Sequence, residues 1–198
     1  MYKVRDSLLE EQIAKEKSDR AMLLWFAVVI AVIMMISALN QFVFLTVQVK
    51  GQSMLPTLYS NDVLIVNRVK KVENGDIVVI EGETDYWLIK RVIACHKDDF
   101  VEIRSDGYVW VNGNQIKENY VLKQGSTNYN IEEFEGHVKL KEGEIFYLGD
   151  NRENSSDSRK YGVCTDEQIV GVVENWSLDF RQINKFLFKV REKIMGKN

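Results

Sequence analysis

Val43-Phe44-Leu45-Thr46-Val47-Gln48-Val49, continued by Lys50-Gly51-Gln52-Ser53-Met54-Leu55-Pro56-Thr57-Leu58, is where an apolar run gives way to a β pattern. The first seven residues are mostly β-branched or aromatic and read as a strand. Gly51 can take φ > 0. Pro56, the only proline in the chain, fixes φ at about −65° and pushes Leu55 towards extended geometry. Ser53 therefore lies on a turn at a strand end, its hydroxyl outward and backbone N–H groups beside it. That setting suits a nucleophile with an oxyanion hole. Taken alone, the segment describes an ordinary turn serine better than a nucleophile.

Upstream, Ala21 to Leu39 carries no charge and one polar side chain, Ser37. Nineteen residues at a rise of ~1.5 Å give ~28 Å, close to the ~30 Å of a bilayer core. The expectation is a transmembrane helix over 21–39. A cleaved signal peptide would have a shorter apolar region and a small-x-small pair at its end. Residues 1–20 are densely charged with mixed signs and read as a solvated cytosolic tail, although Leu8, Leu9 and Ile13 share one helical face. Lys3, Arg5, Lys15, Lys17 and Arg20 precede the apolar run, and the first basic residue after it is Lys50. The positive-inside rule then places the N-terminus in the cytoplasm and the rest of a single-pass chain outside.

Downstream the pattern is β-rich. Strands are expected at 63–69, 76–80, 86–94, 100–104, 144–148 and 169–174. Asp106-Gly107 and Asn112-Gly113 bracket a further strand at Tyr108–Val111 as hairpin turns. The fold class is mostly β: one N-terminal transmembrane helix, then a β-rich domain over 40–180. The tail, 181–198, spaces Ile183, Phe186, Leu187, Val190 and Ile194 along one helical face among Lys185, Lys189, Arg191 and Lys193. It reads either as a membrane-surface helix or as a terminal helix packed on the domain.

Composition narrows the function. The 198 residues support one domain plus an anchor, and a net charge of −3 gives no broad basic surface for nucleic acid. Two cysteines, Cys95 and Cys164, form neither a disulfide framework nor a zinc set, and His96 and His137 have no ligand cluster around them. No metal and no cofactor are expected. The cysteines are a permitted disulfide in an oxidising compartment or two free thiols.

Two later segments change the weight given to Ser53. One is Trp87-Leu88-Ile89-Lys90-Arg91-Val92-Ile93-Ala94, the other Gly149-Asp150-Asn151-Arg152-Glu153-Asn154-Ser155-Ser156-Asp157-Ser158-Arg159. With Ser53-Met54-Leu55-Pro56-Thr57 they reproduce, in order, Ser-Met-x-Pro-Thr, Lys-Arg-Val and Gly-Asp-Asn-x-x-x-Ser-x-Asp-Ser-Arg. The chain thus resembles type I signal peptidase, the membrane-bound Ser/Lys endopeptidase, over residues 49–159 and the preceding anchor. The resemblance implies a signal-peptidase-like catalytic domain that cuts exported preproteins after Ala-x-Ala-like sites. The substrate would be bound extended, by strand addition. The expected partners are preproteins, the lipid bilayer and, nearby, the secretion translocon. A bacterial cell membrane is the expected location.

Ser53 needs a base, and neither histidine falls in a recognisable triad setting. Lys90 alternates with Leu88 and Val92 on one strand face, so its ammonium would lose hydration and its pKa would fall. Alone, Lys90 also reads as a strand-edge lysine with its amine in water. The resemblance makes Ser53 and Lys90 the catalytic dyad, a variant of the triad logic. It makes Ser155 the hydroxyl that orients the lysine amine, and Asp157 with Arg159 a pair holding the loop. Asp150 and Asn151 would fix that loop through backbone hydrogen bonds. Arg91 points away from Lys90 and is structural. Met54 and Leu55, with Leu58, either line the substrate pocket or pack in the core. Gly51 stands where some members carry an oxyanion-assisting serine, which leaves the Ser53 N–H as the expected donor. A second departure is Ala94-Cys95-His96-Lys97-Asp98-Asp99, where members often continue Gly-x-Pro-Gly-Asp. Three rival readings are disfavoured. Self-cleaving repressors need a DNA-binding helix-turn-helix, endomembrane-type peptidases use histidine at the lysine position, and a binding-only relative would lack the serine or lysine.

Overall fold

The computed structural model describes residues 2–82, 86–130 and 133–194. It opens with helix α1 (Tyr2–Val43), followed by β1 (Phe44–Gln48), β2 (Val63–Asn67), β3 (Ile77–Glu81), β4 (Trp87–Ala94), β5 (Phe100–Ile103), β6 (Val109–Val111) and β7 (Asn114–Gln115). Then come β8 (His137–Lys139), β9 (Glu144–Leu148), α2 (Ser158–Tyr161), β10 (Cys164–Thr165), β11 (Ile169–Val173), α3 (Asn175–Asp179) and α4 (Arg181–Ile194). The chain divides into two compact units, 1–43 and 44–198.

The first unit is a single helix. Sequence reading put a helix only at 21–39 and a solvated tail before it; the helix runs from Tyr2 to Val43. The reason is local: no glycine or proline interrupts these residues, and the charged part is rich in Leu, Glu, Lys and Ala, all good helix formers. Arg20 pairs with Glu16 one turn back at 2.6 Å. The side chains of Leu8, Leu9 and Ile13 lie outside the described residues. Lys15–Val43, 29 residues, is long and apolar enough to cross a membrane, and most of its described apolar side chains are exposed.

The second unit is β-rich, as the strand pattern predicts. A seven-stranded sheet has the order β1-β2-β11-β3-β4-β9-β10, and a four-stranded sheet the order β7-β6-β5-β8. All pairings are antiparallel. Strand β3 reads Ile-Val-Val-Ile without alternation because both its faces are buried. Ile77 and Val79 join a core with Val47, Val49, Met54, Leu58, Leu64 and Val66, while Val78 and Ile80 join another with Val92, Ile145, Tyr147 and Val172. The smaller sheet has its own core around Val101, Ile103, Leu140 and Phe146. At the Asn112-Gly113 turn both residues have positive φ, 52° and 76°, as a two-residue hairpin requires. Sequence reading named that turn but not β7 beyond it, nor β8 and β10. Strands of two or three residues carry no periodicity to read.

The last residues fold as α3 and α4. Asn184 on α4 is buried and donates to the Val63 carbonyl of β2 at 3.4 Å, so this helix is docked on the domain. The side chains of Lys185 and Lys189 lie outside the described residues. Cys95 is half-buried, Cys164 is buried, and both are free thiols. Burial is the leading cause of a raised pKa at each, to about 11 for Cys95 and about 12 for Cys164.

Candidate active site

Ser53 and Lys90 meet although 37 positions separate them: Lys90 Nζ lies 2.8 Å from Ser53 Oγ in a hydrogen bond. Each is delivered by its local structure. After β1 the chain turns through Gly51, whose φ of +88° is the left-handed region that a side chain disfavours. Met54 and Leu58 then plunge into the core at 2% and 0% exposure, which pins the turn and leaves Ser53 half-exposed between them and solvent. The Leu55–Pro56 peptide is cis. The Ser53 carbonyl accepts from the Asn151 N–H at 2.9 Å, and the Gln52 carbonyl from Asn151 Nδ2 at 3.1 Å. The Ser53 N–H donates to no protein group among the described residues.

Lys90 lies mid-strand on β4, paired in register with Val78 of β3. It is 3% exposed, and burial lowers its pKa from 10.5 to about 8, because a charged ammonium loses its hydration there. Asp157 and Asp150 oppose that shift and Arg159 reinforces it, none of them in contact with the amine. A buried amine poised near neutrality, in contact with a hydroxyl, can take that hydroxyl's proton.

Arg91, one position on, faces the other way. It makes a two-pronged contact with Asp150, Nε to Oδ1 at 2.8 Å and Nη2 to Oδ2 at 2.7 Å, and its guanidinium stacks 3.9 Å over the Tyr120 ring. Asp150 also accepts from the Thr57 hydroxyl, so one carboxylate ties the strand carrying the lysine to the loop carrying the serine. The expectation for Asp150 was backbone hydrogen bonding; its side chain makes the tie instead, while Asn151 binds backbone carbonyls on the nucleophile loop.

Asp157 and Arg159 pair through two contacts, Nε–Oδ1 at 2.7 Å and Nη2–Oδ2 at 2.8 Å. Asp157 is fully buried, accepts from the Gly149 N–H at 3.0 Å and caps α2. A Cβ at Gly149 would come 2.6 Å from the Ser53 carbonyl oxygen and closer still to Ser155 Oγ, so no side chain fits behind Ser53. Ser155 was expected to orient the lysine amine. Its hydroxyl is buried against Gly149 and has no hydrogen-bond partner among the described residues.

A cleft of about 700 Å³ runs to Ser53 and Lys90. β1 and the turn after it supply Val47, Val49, Gly51 and Met54, while β4 supplies Trp87, Leu88 and Ile89. Met54 is therefore both core and cleft wall; Leu55 is half-buried and does not line the cleft. Sequence reading missed four contributors. Thr57 stood in a quoted motif without a role. Phe188 of α4 lines the cleft, and nothing in its local sequence signals that. Arg152 and Glu118 form a buried pair across 34 positions, and Arg152 Nε donates to the Gly149 carbonyl at 2.9 Å. No cluster of three or more His, Cys, Asp or Glu able to hold a metal occurs among the described residues.

Residues 22–177 match the family model described as signal peptidase, peptidase S26. The chain is similar to a signal peptidase I of Bacillus amyloliquefaciens, 32% identical over 86% of this chain and 97% of that one. It is likewise similar to signal peptidase I S of Bacillus subtilis, 32% identical over 88% and 97% of the two chains. A signal peptidase I of Bacillus caldolyticus is 35% identical over 80% and 90%.

Proposed function

The chain belongs to the signal peptidase, peptidase S26, family, and on that premise we propose that it cuts signal peptides with a Ser53–Lys90 dyad. It is a type I signal peptidase, a serine hydrolase, and signal-peptide-bearing preproteins are its substrates. The observation that carries the dyad is the 2.8 Å contact between the buried Lys90 amine and the Ser53 hydroxyl.

Neutral Lys90 takes the Ser53 proton as Oγ attacks the scissile carbonyl. The Ser53 N–H stabilises the resulting oxyanion. Lys90, now charged, gives the proton to the leaving amine, and the mature protein departs. Lys90 then deprotonates a water that attacks the acyl-enzyme ester, releasing the signal peptide and freeing Ser53. The substrate lies extended along the cleft, where Met54 and the β1 and β4 walls receive small side chains before the cut, the Ala-x-Ala-like pattern. Asp157 with Arg159, and Ser155 packed on Gly149, support the loop behind the nucleophile, and Gly51 keeps the turn before it. The apolar helix, compatible with membrane anchoring, crosses the cell membrane once, N-terminus inside, and holds the domain at the outer surface near the secretion translocon.

The test is cleavage of a preprotein by the detergent-solubilised full chain. Ser53→Ala and Lys90→Ala should each lower the rate by roughly 10³-fold or more with the fold intact. Retained cleavage by Lys90→Ala would place the base elsewhere.

A further inference from the structure

Helix α4 has two working faces. Its inward face is tied to the catalytic domain over its first two turns. Arg181 donates to the Thr57 carbonyl on the nucleophile loop at 2.9 Å. Asn184 donates to the carbonyls of Val63 and Ser177 at 3.4 and 3.2 Å. Phe188, one turn further, lines the cleft that holds Ser53 and Lys90. Val63 pairs in register with Gln48 of β1, so α4 stands by the β1 wall of that cleft.

The outward face is apolar and bare. Ile183, Phe186, Leu187, Val190 and Ile194 recur at helical spacing and are 39–79% exposed. Trp176 and Phe180, just before and within the bend into α4, are about half-exposed as well. A contiguous apolar patch of this extent marks an interaction surface. Its surroundings indicate the occupant. From Arg181 to Ile194 there are five basic residues and one acidic, against a net charge of −3 for the whole chain. Two such helices face to face repel, whereas an anionic lipid surface attracts each. In addition, β1 follows α1 without an intervening residue, and α4 is docked on β2, the partner of β1. If α1 spans a bilayer, the chain delivers this sheet edge to the bilayer surface.

We propose that α4 is a membrane-interface helix: its outer face lies among the headgroups of an anionic bilayer while its inner face, through Phe188, forms part of the substrate cleft. Bilayer and cleft then share one element, and a preprotein whose apolar segment is in the membrane meets a wall already fixed there. This rests on the cleft being the catalytic one.

The experiment uses the full chain in phosphatidylcholine–phosphatidylglycerol vesicles. In a Cys95→Ser, Cys164→Ala background, an environment-sensitive fluorophore is placed through Leu187→Cys, with Lys123→Cys as an exposed polar control. Lipids carrying a nitroxide on the acyl chain should quench the label at 187 and not at 123, and less so in phosphatidylcholine alone. Quenching by aqueous iodide instead, or cross-linking between copies through position 187, overturns the proposal in favour of solvent or a second copy. A second arm keeps the native cysteines and compares Phe186→Glu/Leu187→Glu with the parent. About tenfold slower cleavage of a vesicle-embedded preprotein, with unchanged cleavage of a soluble peptide in detergent, supports the shared element. Equal losses on both substrates mean α4 only props the domain. If the parent cleaves neither substrate, the peptidase reading fails while the quenching result still decides the lipid contact.

Discussion

Lys90 and Arg91 are neighbours on one strand, and the two faces of β4 treat their charges in opposite ways. On one face the amine is buried beside a hydroxyl with no carboxylate in contact among the described residues, and burial lowers its pKa to about 8. On the other face the guanidinium is also buried but is gripped by Asp150 and stacked on Tyr120. Burial alone does not make a basic residue chemical. A lysine can escape the cost of desolvation by giving up its proton; an arginine cannot and must be paired. The strand thus has a side proposed as reactive and a fastened side one residue apart.

The comparison breaks most visibly on the fastened side. Asp150→Ala strips the partner from Arg91 and the acceptor from Thr57, and should cost ~3–5 kcal/mol, measured by urea unfolding of the full chain in detergent. A loss below 1 kcal/mol would mean that the Arg91 face is not held by its ion pair.

On the reactive side the sign reverses. Lys90 has a lowered pKa in the folded state, about 8 against 10.5, so between these values the unfolded chain binds more protons and stability rises with pH. Below about pH 8 the folded state bears the full cost of the buried charge, of order 3 kcal/mol. Lys90→Met should therefore abolish cleavage yet be more stable than the parent at pH 7, with the gain shrinking from pH 8 to 10.5. A constant difference across that range would show that the lysine is not strained by its burial.

The same shift sets the activity profile. kcat/KM should fall about tenfold per pH unit below pH 8, because only the neutral amine is a base. A flat profile from pH 6 to 9 under acylation-limited conditions would remove Lys90 from that role. The smallest effect belongs to the exposed Lys123–Glu153 pair, 2.7 Å apart but more than half-exposed on both sides. Glu153→Gln should change stability by under ~0.5 kcal/mol in the same urea assay. That contrast separates a buried ion pair from a solvated one of similar length.

How far the sequence could be read follows from the range of each interaction. The apolar helix and the longer strands are encoded by neighbours one to four residues apart, so their periods were legible. Helix α1 outran its apolar segment because charged residues of high helix propensity continue it, and charge had been taken as the mark of a tail. The site was legible through three motifs that resemble a known family, and Lys90 also through the apolar residues alternating with it. The role expected of Ser155 came from the resemblance alone, and its hydroxyl has no hydrogen-bond partner among the described residues. For α4, the docked reading of the sequence fits Asn184, while the exposure of Phe186 is what the proposed membrane contact rests on.

By itself, then, the chain determined its helix, its β character and the candidates proposed here as nucleophile and base. Tertiary structure alone decided that Arg91 is matched to Asp150 across 59 positions, that Arg152 is buried with Glu118, and that Phe188 reaches the cleft. The physical reason is that a buried charge or an aromatic wall is defined by what surrounds it. Those surroundings come from segments that share no local pattern and meet only when the sheets pack.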